Sequence, residues 1–484
     1  MASRPRVLVA LPEPGYFRLY GSTIVELGRE GWDVLLAFDR PDKRGAAQVP
    51  ADAGSGVRSI GAPPEHAPGR MSALRAAVDY LRYLEAPFQH AGYLRRRSEK
   101  TLPSGFRWLT RVTRLPRAVV GGALRAMRLL ESLVPADSGL VAWIRHAAPD
   151  VVFLSPLVTL GPSGDRQTEL MKAARTAGVP VVVGVASWDH LTSKGLVRLV
   201  PDALLVWNEA QAREATVLHR VPRSCVVVTG AQSLDHWFEP VRPESTAAFR
   251  ARLGIDEGRP VLLFVGSSRN MAPEHSEVEF VRRWVAAVRG SRAPELRRAL
   301  ILVRPHPTNV EPWAGGPLGP DRLDLVVHPT AYSGIPLSDA EIDTFRQSLL
   351  VSTAVVGINT TAMIEAAILE RPVLTVRDPA FVHSQGETLH FGHLSIETGG
   401  CAMVARDLDE HVVQLEQILR DGREAVAAER RFVRRFVRPL GANEPATTHV
   451  CAAIGQVAAR MRGRQSAGQA SPSGDAMAHP EPPR

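Results

Sequence analysis

Residues 6–38 read RVLVALPEPGYFRLYGSTIVELGREGWDVLLAF, and this stretch decides the fold of the chain. Its two aliphatic runs, Arg6–Leu11 and Asp33–Phe38, predict buried strands. The segment between them predicts a helix from about Tyr20 to Glu30, which ends at Gly31. A strand, a helix and a second strand joined in this way form a βαβ unit with parallel strands.

The same alternation continues through two series of elements. In the first series, strands are predicted at 151–155, 179–186 and 203–207, with a helix over 168–177. The second series begins after the proline-rich, charged stretch 239–244. Its predicted strands are 261–266, 299–304, 323–327, 354–358 and 373–376, and its predicted helices are 245–253, 274–288, 339–348 and 361–369. Three more helices are predicted over 409–419, 423–435 and 446–461.

Two series of similar size predict an α/β protein with two facing, doubly wound, Rossmann-like domains. The N-terminal domain covers residues 1–240, and the C-terminal domain covers residues 241–440. A separate C-terminal helix is expected over 441–462. Residues 463–484 consist mainly of Gly, Ser, Pro, Ala and Gln without an apolar pattern, which predicts a disordered tail.

The composition is that of a globular protein of two or three domains, because 45% of its 484 residues are apolar and 22% are charged. The three cysteines are too few and too scattered for a disulfide framework or a zinc knuckle. The N-terminal apolar run is too short for a signal peptide, and no stretch of about 18 apolar residues could span a membrane. These features predict a cytoplasmic protein.

A basic helical insertion is predicted at about 65–135, where the alternation of strands and helices stops. Within it, residues 93–128 hold ten basic residues and one acid, Glu99. Apolar residues alternate with the basic ones at roughly helical spacing, which is typical of a surface that faces anionic lipid headgroups. We therefore expect peripheral contact with the inner face of a membrane, with Arg95, Arg96 and Arg97 among the contacts. The alternative is a solvated insertion packed on the N-terminal domain. No nucleic acid partner is expected, because no binding module accompanies the charge.

Polar clusters follow several predicted strands, at the sheet edge where ligands bind in open parallel sheets. One of them, Arg304-Pro305-His306-Pro307, comes directly after a predicted strand. The prolines fix the backbone, so the guanidinium and the imidazole are expected at the mouth of the cleft between the domains. A guanidinium binds phosphate oxygens, and an imidazole donates a hydrogen bond or moves a proton. Arg304 is therefore a predicted binding residue, and His306 is a predicted catalytic residue.

A second cluster, Gly357-Ile358-Asn359-Thr360-Thr361, opens a predicted helix. Unpaired amides in a first helical turn, together with threonine hydroxyls, suit a diphosphate. One turn further along the same face, Glu365 is placed to accept hydrogen bonds from ribose hydroxyls. Small residues at the end of the predicted strand 261–266, among them Ser267, let a phosphate or a base approach the backbone closely. The remaining predicted binding residues are Ser267, Asn359, Thr360, Thr361 and Glu365. An ordinary helix cap at Thr360 or Thr361 is the alternative.

A third cluster, 187–194, reads SWDHLTSK and follows a strand of the N-terminal domain. Asp189 or His190 is predicted to act as a catalytic base toward an acceptor hydroxyl. Trp188 and Lys194, together with Glu13 after the first strand, are predicted to bind the acceptor. In the alternative, Asp189 caps the next helix while Trp188 packs. No metal site is predicted.

The chain as a whole resembles the GT-B glycosyltransferases. The resemblance rests on the two facing halves, on the His306-Pro307 motif after a strand, and on the Gly-x-Asn-Thr-Thr-(x)3-Glu-Ala turn at 357–366. It is most similar to bacterial capsule and surface-polysaccharide transferases, including the CDP-glycerol glycerophosphotransferase-like group. The resemblance implies that the C-terminal half binds a nucleotide-activated donor and that the N-terminal half presents the acceptor. It would place Arg304 and His306 at the donor phosphates, Thr360 and Thr361 at the diphosphate, and Glu365 at the ribose.

The reaction implied by this resemblance moves a sugar to a hydroxyl of a surface-glycan, lipid-linked or other acceptor. The nucleotide sugar is then a co-substrate, and no cofactor is expected. Metal independence is also expected, because relatives of this kind usually need no metal and no Asp-x-Asp sequence occurs in a suitable loop. Retention and inversion at the sugar carbon both stay open at this point, as do the sugar and the nucleotide.

Two other functions suit the same architecture. Residues 365–378, which include Glu-Arg-Pro-Val-Leu at 370–374, resemble non-hydrolysing nucleotide-sugar 2-epimerases. Those enzymes continue with Thr-Glu-Arg-Pro-Glu, whereas this chain continues with Pro-Ala-Phe-Val-His at 379–383. The mismatch and the basic insertion favour a transferase. The third function is a non-catalytic nucleotide-binding scaffold that recruits partners through the basic segment.

Overall fold

The computed structural model describes residues 4–40, 54, 56–65, 71–155, 162–241, 243–272, 275–314, 325–334, 337–422 and 426–469. Within these ranges the chain forms two parallel sheets, one in each half, with helices on both faces. This is the GT-B architecture of two Rossmann-like lobes that the sequence predicted. None of the helices in these ranges is both long enough and apolar enough to cross a membrane.

The N-terminal lobe is built on a seven-stranded sheet with the order β3-β2-β1-β4-β5-β6-β7. Its strands are β1 Arg6–Leu11, β2 Asp33–Phe38, β3 Val57–Ser59, β4 Val151–Leu154, β5 Val181–Gly184, β6 Ala203–Val206 and β7 Val226–Val228. Because helices cover both faces, no side chain from Val7 to Leu11 is more than 1% exposed. The edge strands β3 and β7 are three residues long, which is too short for the apolar pattern that predicts a strand.

The C-terminal lobe has a six-stranded sheet with the order β10-β9-β8-β11-β12-β13. Its strands are β8 Val261–Val265, β9 Leu300–Arg304, β10 Leu325–Val327, β11 Ala354–Gly357, β12 Val373–Val376 and β13 Ala402–Ala405. In both sheets the first strand of the lobe lies inside the sheet, and the strand order reverses beside it. A ligand crevice forms at such a reversal, outside the carboxyl ends of the strands.

Helices cover both faces of each sheet. Those of the N-terminal lobe are α1 Phe17–Arg29, α2 Ser72–Arg82, α3 Gly92–Glu99, α4 Arg117–Leu133, α5 Ser138–Ala147, α6 Pro162–Thr176, α7 His190–Ser193 and α8 Glu209–Leu218. The later helices are α9 Pro243–Arg252, α10 Ser276–Arg289, α11 Pro294–Arg297, α12 Asp339–Val351, α13 Ala362–Ile368, α14 Val382–Gln385, α15 Leu408–Asp421, α16 Ala427–Phe432 and α17 Ala446–Gln469.

Buried charges attach the insertion, formed by α2, α3 and α4, to the N-terminal lobe. The guanidinium of Arg75 in α2 donates to Glu131 of α4 at 2.9 Å and also to Glu169 of α6. The ammonium of Lys172 in α6 lies 3.1 Å from the Glu131 carboxylate. The side chains of Arg75 and Glu131 are completely buried. The insertion is thus an integral part of the lobe.

Two of the three arginines expected at a lipid surface, Arg95 and Arg96, also form contacts within the protein. Arg95 donates to the hydroxyl of Tyr80 at 3.0 Å and to backbone carbonyls of the insertion. Arg96 forms an ion pair of 2.7 Å with Glu387 of the C-terminal lobe. Arg97 is only partly exposed. Helix α3, which carries all three arginines, packs between α2 of the insertion and α14 of the C-terminal lobe.

The last helix, α17, returns to the N-terminal lobe rather than standing apart as a separate element. Ile454 packs in the same apolar cluster as Val7 and Ile24. Asp235 holds the start of α17 in place, because its carboxylate accepts hydrogen bonds of 2.8 Å from the Arg438 guanidinium and from the Thr447 amide. The N-terminal lobe is therefore built from both the first and the last of the described elements, β1 and α17.

The end of α17 corrects the expected boundary of the tail. The sequence predicted a helix that ends near residue 462 and disorder from 463, but α17 continues to Gln469. Alanine, glutamine and arginine in this stretch support a helix without an apolar pattern. The rest of the expected tail, 470–484, lies outside the described residues.

Candidate active site

A cavity of about 600 Å³ lies between the two lobes. Glu13, Arg18 and His190 line it from the N-terminal lobe, after strands β1 and β5. His306 and Glu365 line it from the C-terminal lobe, after strands β9 and β11. The volume falls within the range of about 300–1,000 Å³ that is typical of small-molecule sites. The carboxyl ends of both sheets thus converge on one cavity.

Close backbone packing fixes the loop that carries His306. A Cβ atom added at Gly266, just after β8, would lie 2.8 Å from the backbone nitrogen of His306 and 3.2 Å from the Cα of Pro305. No side chain fits at that distance, so the glycine lets the loop after β9 lie directly against the end of β8. The imidazole is held at the cavity wall by this contact and by the two flanking prolines.

The His306 imidazole is neutral, and its remaining proton lies on Nε2. Its Nδ1 accepts a hydrogen bond of 3.1 Å from the backbone amide of Thr308, which assigns the proton of the neutral ring to Nε2. Burial, with a smaller contribution from Arg18, lowers the pKa of His306 to about 4. At neutral pH the ring can therefore donate a hydrogen bond from Nε2 to a ligand oxygen.

Arg304 lies on the floor of the cavity, not at its mouth as predicted. Its guanidinium sits 4.6 Å from the ring centre of Phe345 and 5.8 Å from that of Tyr332. It also donates to the backbone carbonyl of Glu341 at 3.2 Å. The residue is only 4% exposed. Stacking on two aromatic rings explains this orientation, because a guanidinium is weakly hydrated and packs well on aromatic faces.

Glu365 and Arg18 bring opposite charges to the cavity from different lobes. Burial raises the pKa of Glu365 to about 7, although Arg18, the Trp237 indole and Arg304 oppose the shift. Arg18 is exposed, and its guanidinium forms no ion pair or hydrogen bond with another described residue. It is therefore available to an anionic ligand.

The two threonines before α13 line the cavity, and one of their hydroxyls contacts the other lobe. The hydroxyl of Thr361 accepts a hydrogen bond of 3.1 Å from the indole nitrogen of Trp188. Trp188 is buried and packs edge-on against the His390 ring. It does not line the cavity, so the alternative in which Trp188 packs describes its place better than a role at the acceptor. The Thr360 side chain lines the cavity as well.

Asp189 lies behind the cavity wall with both carboxylate oxygens occupied. Its oxygens accept from the hydroxyls of Ser187 at 2.6 Å and of Ser193 at 2.7 Å. Burial alone would raise the pKa of Asp189, but His190 and Lys194 help to hold it well below its usual range. A carboxylate of this kind is a poor proton acceptor. Lys194 also lies outside the cavity lining.

Asp189 and His190 were both predicted to lie at the cavity, and of the two His190 lines it. Burial, with smaller contributions from Lys194 and Arg97 and opposed by Asp189, lowers the pKa of His190 to about 4. The ring is therefore neutral at physiological pH and has a lone pair for a proton. It stands on the wall opposite His306.

Ser267 and Asn359 lie behind the loops that line the cavity. The Ser267 amide donates to Glu277 at 2.7 Å, and burial raises the pKa of Glu277 to about 8. The Asn359 side-chain nitrogen donates to the Ser384 carbonyl at 2.5 Å. Both predicted binding residues are buried, so they support the loops after β8 and β11 rather than face a ligand.

The structure thus brings most of the predicted residues to one cavity. Those that line it are Glu13, His190, Arg304, His306, Thr360, Thr361 and Glu365. Glu13 also forms an ion pair of 3.2 Å with Arg40. Trp188, Asp189, Lys194, Ser267 and Asn359 pack around the cavity without lining it. Parallel strand ends explain the convergence, and hydrogen bonds to other residues hold Trp188, Asp189, Ser267 and Asn359 outside the lining.

Sequence reasoning missed Arg18, Tyr332 and Phe345. Arg18 lies in the first turn of α1, just beyond the loop that follows β1, and its position after a central strand is the signal that could have found it. Tyr332 and Phe345 line the cavity from 28 and 41 residues beyond Arg304, respectively. No local pattern connects residues so far apart.

Neither a protein-family model nor a curated protein matches this sequence. Solved structures do match its fold. The glycosyltransferase from Rickettsia africae superimposes with a TM-score of 0.51 at 10% identity, over 94% of this chain and 99% of that one. A protein described as a UDP-N-acetylglucosamine 2-epimerase from Listeria monocytogenes gives a TM-score of 0.50 at 13% identity, over 93% and 96% of the two chains. At this identity the likeness concerns the fold, and the fold is GT-B glycosyltransferase-like.

Proposed function

We propose that this protein, which has a GT-B glycosyltransferase-like fold, transfers a sugar from a nucleotide-activated donor to an acceptor hydroxyl. The observation that carries the proposal is the cavity between the lobes, in which Arg18 from one lobe stands near His306 and Glu365 from the other. A guanidinium and an imidazole N–H suit phosphate oxygens, and a carboxylate suits ribose hydroxyls. A donor held between the lobes would contact all three groups.

In the proposed reaction the acceptor oxygen forms a bond to the anomeric carbon of the sugar. The bond between that carbon and the donor phosphate oxygen breaks, and the nucleoside phosphate leaves with the electron pair. Negative charge grows on the leaving oxygen in the transition state. Arg18 and the Nε2–H of His306 would stabilise that charge. Stabilisation of developing charge by preorganised donors is usually the largest single contribution to the rate enhancement of an enzyme.

We propose that His190 is the base that accepts the proton of the acceptor hydroxyl. Its ring is neutral and lines the wall of the N-terminal lobe, opposite the proposed donor site. Asp189, the other predicted base, already accepts two hydrogen bonds from serine hydroxyls. His190 is therefore the better proton acceptor of the pair.

The resemblance and the basic insertion support a proposal for the acceptor class. We propose a surface-glycan, lipid-linked or other hydroxyl acceptor, presented from the N-terminal lobe. The protein would work in the cytoplasm, at the inner face of an anionic membrane. The nucleotide sugar would be a co-substrate, and no resident cofactor and no metal ion would be needed because Arg18 and His306 meet the leaving group.

A thermal-shift screen tests the proposal. UDP-, GDP-, CMP-, CDP- and dTDP-linked sugars are each added to the full chain with and without EDTA. One nucleotide class should raise the melting temperature, because a ligand that binds the folded state stabilises it by mass action. The nucleotide sugar that raises the melting temperature is then mixed with the protein and with lipid or glycan acceptors, and the release of nucleotide is measured. EDTA should not reduce the rate of this release. No shift with any compound would contradict the proposal.

The fold shared with the epimerase from Listeria monocytogenes makes a nucleotide-sugar 2-epimerase the second candidate. The same screen separates the two functions. An epimerase would convert the donor that stabilises it into the 2-epimer without an acceptor, whereas a transferase would release nucleotide only when an acceptor is present. Nuclear magnetic resonance of the anomeric protons distinguishes these products.

A further inference from the structure

Helix α4 is apolar on two opposite faces. Its inner face, with Val120, Leu124 and Met127, is buried, and Leu124 and Met127 pack with Met71 and Val78 of the α2 region. Its outer face carries Val119, Ala126, Leu129, Leu130 and Leu133. Spacings of seven, eleven and fourteen residues from Val119 return to the same side of a helix, so Val119, Ala126, Leu130 and Leu133 form one stripe and Leu129 borders it.

The outer face is exposed in the part of the chain that the structure describes. Leu129 is 63% exposed, Leu133 is 70% exposed, and Val119 and Leu130 are 50% and 44% exposed. Trp108, in the preceding helical turn of the insertion, is 59% exposed. Half of the ten exposed large apolar side chains among the described residues therefore fall within 108–133. A helix of a globular protein normally covers its apolar residues against other elements, so a second, exposed apolar face on α4 indicates a contact outside the described residues.

Positive charge surrounds this face without a balancing acid. Between residues 100 and 136 the sequence contains one acid, Glu131, which is buried in the network around Arg75. Arg107, Arg111, Arg114 and Arg125 are exposed, and none of them forms an ion pair with another described residue. The apolar stripe is thus flanked by free cations.

Charge complementarity indicates which partner fits the outer face of α4. A second copy of the chain would bring the same arginines together, and like charges repel. A nucleic acid would satisfy the arginines but leave the leucines in water. An anionic bilayer satisfies both, because leucine and tryptophan enter the interface while arginines reach lipid phosphates.

We propose that α4 docks this protein on an anionic lipid bilayer. The helix lies in the plane of the interface, with Val119, Leu129, Leu130 and Leu133 among the headgroups and Arg114 and Arg125 at lipid phosphates. Its inner face stays packed on α2, so the helix does not cross the bilayer. The contact differs from the one that the sequence suggested, which involved Arg95, Arg96 and Arg97. It also requires no catalytic activity, so it stands apart from the proposed transferase function.

Vesicle binding by the full chain tests this proposal. Co-sedimentation is measured with vesicles of phosphatidylcholine alone and of phosphatidylcholine mixed with phosphatidylglycerol. The wild-type protein should bind the anionic vesicles, and less so at high salt because the Debye length shortens. Combined Leu129→Ser, Leu130→Ser and Leu133→Ser should lower binding by about tenfold or more, since each leucine loses its burial in the interface. Far-UV circular dichroism and the melting temperature verify the fold of the variant.

A charge variant and two controls complete the test. Combined Arg107→Gln, Arg111→Gln, Arg114→Gln and Arg125→Gln should weaken binding to anionic vesicles and reduce its salt dependence. The matched control removes four exposed arginines of the other lobe: Arg292, Arg298, Arg420 and Arg434. It should bind like the wild type, and so should His306→Ala, which separates docking from catalysis.

Four results would overturn the proposal. The first is that wild-type protein does not bind anionic vesicles. The second is that the leucine variant binds them as well as the wild type, since charge alone would then explain the contact. The third is a wild-type dimer in light scattering that the leucine variant abolishes. The fourth is tight binding of single-stranded RNA in the absence of vesicle binding.

Discussion

The indole nitrogen of Trp188 in the N-terminal lobe donates a hydrogen bond of 3.1 Å to the hydroxyl of Thr361 in the C-terminal lobe. Both groups lie next to the central cavity, and Thr361 lines it. Arg96 and Glu387 join the lobes a second time, through the insertion. These contacts between the lobes therefore hold the two walls of the cavity together.

Trp188→Phe keeps an aromatic ring and removes the hydrogen bond between the lobes. We expect the free energy of unfolding to fall by about 1–3 kcal/mol, from the lost hydrogen bond and the smaller ring. The free protein should also become more open, which small-angle scattering measures as a larger radius of gyration. Trp284→Phe is the control, because the indole of Trp284 donates to His411 within one lobe. Equal radii for the two variants would contradict this prediction.

Arg18→Gln should weaken binding of inorganic pyrophosphate by about tenfold, the effect of losing one charge-assisted hydrogen bond. Calorimetric titration measures the affinity. The melting temperature should stay near that of the wild type, because Arg18 is exposed and makes no ion pair with another described residue. Arg29→Gln, on the same helix but away from the cavity lining, should leave the affinity unchanged. A stable variant with wild-type affinity would remove Arg18 from the proposed site.

His306→Ala should lower the rate of the proposed transfer by about a hundredfold or more, the usual effect of removing one hydrogen-bond donor from a developing charge. The fold should survive, because the loop is held by Gly266 and its prolines rather than by the imidazole. Turnover and melting temperature are measured together. His306→Gln should recover part of the rate, since an amide can also donate. A large drop in melting temperature with normal turnover in the surviving protein would refute this role.

Glu365→Gln should change the pH dependence of stability. The pKa of Glu365 is about 7 in the folded protein, above the ordinary glutamate value of 4.5. Between these values the unfolded chain has already released the proton that the folded state keeps, so the wild type loses stability as pH rises from about 4.5 to 7. The variant lacks this loss, so its melting temperature relative to wild type should rise from pH 5 to pH 8. Glu295→Gln, at an exposed position, should show no such trend. A constant difference between wild type and Glu365→Gln would contradict the raised pKa.

Arg75→Met should lower the free energy of unfolding by about 3–5 kcal/mol, because it removes the guanidinium shared by the buried carboxylates of Glu131 and Glu169 and leaves both to Lys172. Urea denaturation measures the loss. Adding Glu131→Leu should restore part of it, since one of the two buried carboxylates is then removed as well. Arg213→Met, at an exposed position, is the control. A loss no larger than that of the control would mean that the insertion is attached mainly by apolar contacts.

The sequence predicted the sheets well where strands are central and fully buried. β1, β8 and β11 produce uninterrupted apolar runs because helices cover both of their faces. The edge strand β13 was missed, since two of its four residues are only partly buried and break the apolar run. Local pattern therefore reports burial more directly than it reports strand pairing.

The site residues that could be predicted from the sequence are those that directly follow the end of a strand. His306, Thr360 and Glu365 follow β9 and β11 and line the cavity, as strand-end residues of adjacent or nearby strands should. The orientation of Arg304 was not predictable, because it depends on rings that lie far along the chain. The position of Asp189 after β5 was correct, but the neighbouring serines occupy its oxygens. Side-chain partners of this kind are decided by tertiary packing.

Because α17 completes the apolar core beside α1, the first lobe is not a contiguous piece of the polypeptide. During synthesis the sheet of that lobe could form early, yet the surface of α1 that packs against Ile454 would stay uncovered until α17 had left the ribosome. A recombinant fragment ending near residue 240 would carry the same exposed patch and should aggregate. Joining residues 446–469 to that fragment through a flexible linker would supply the missing piece.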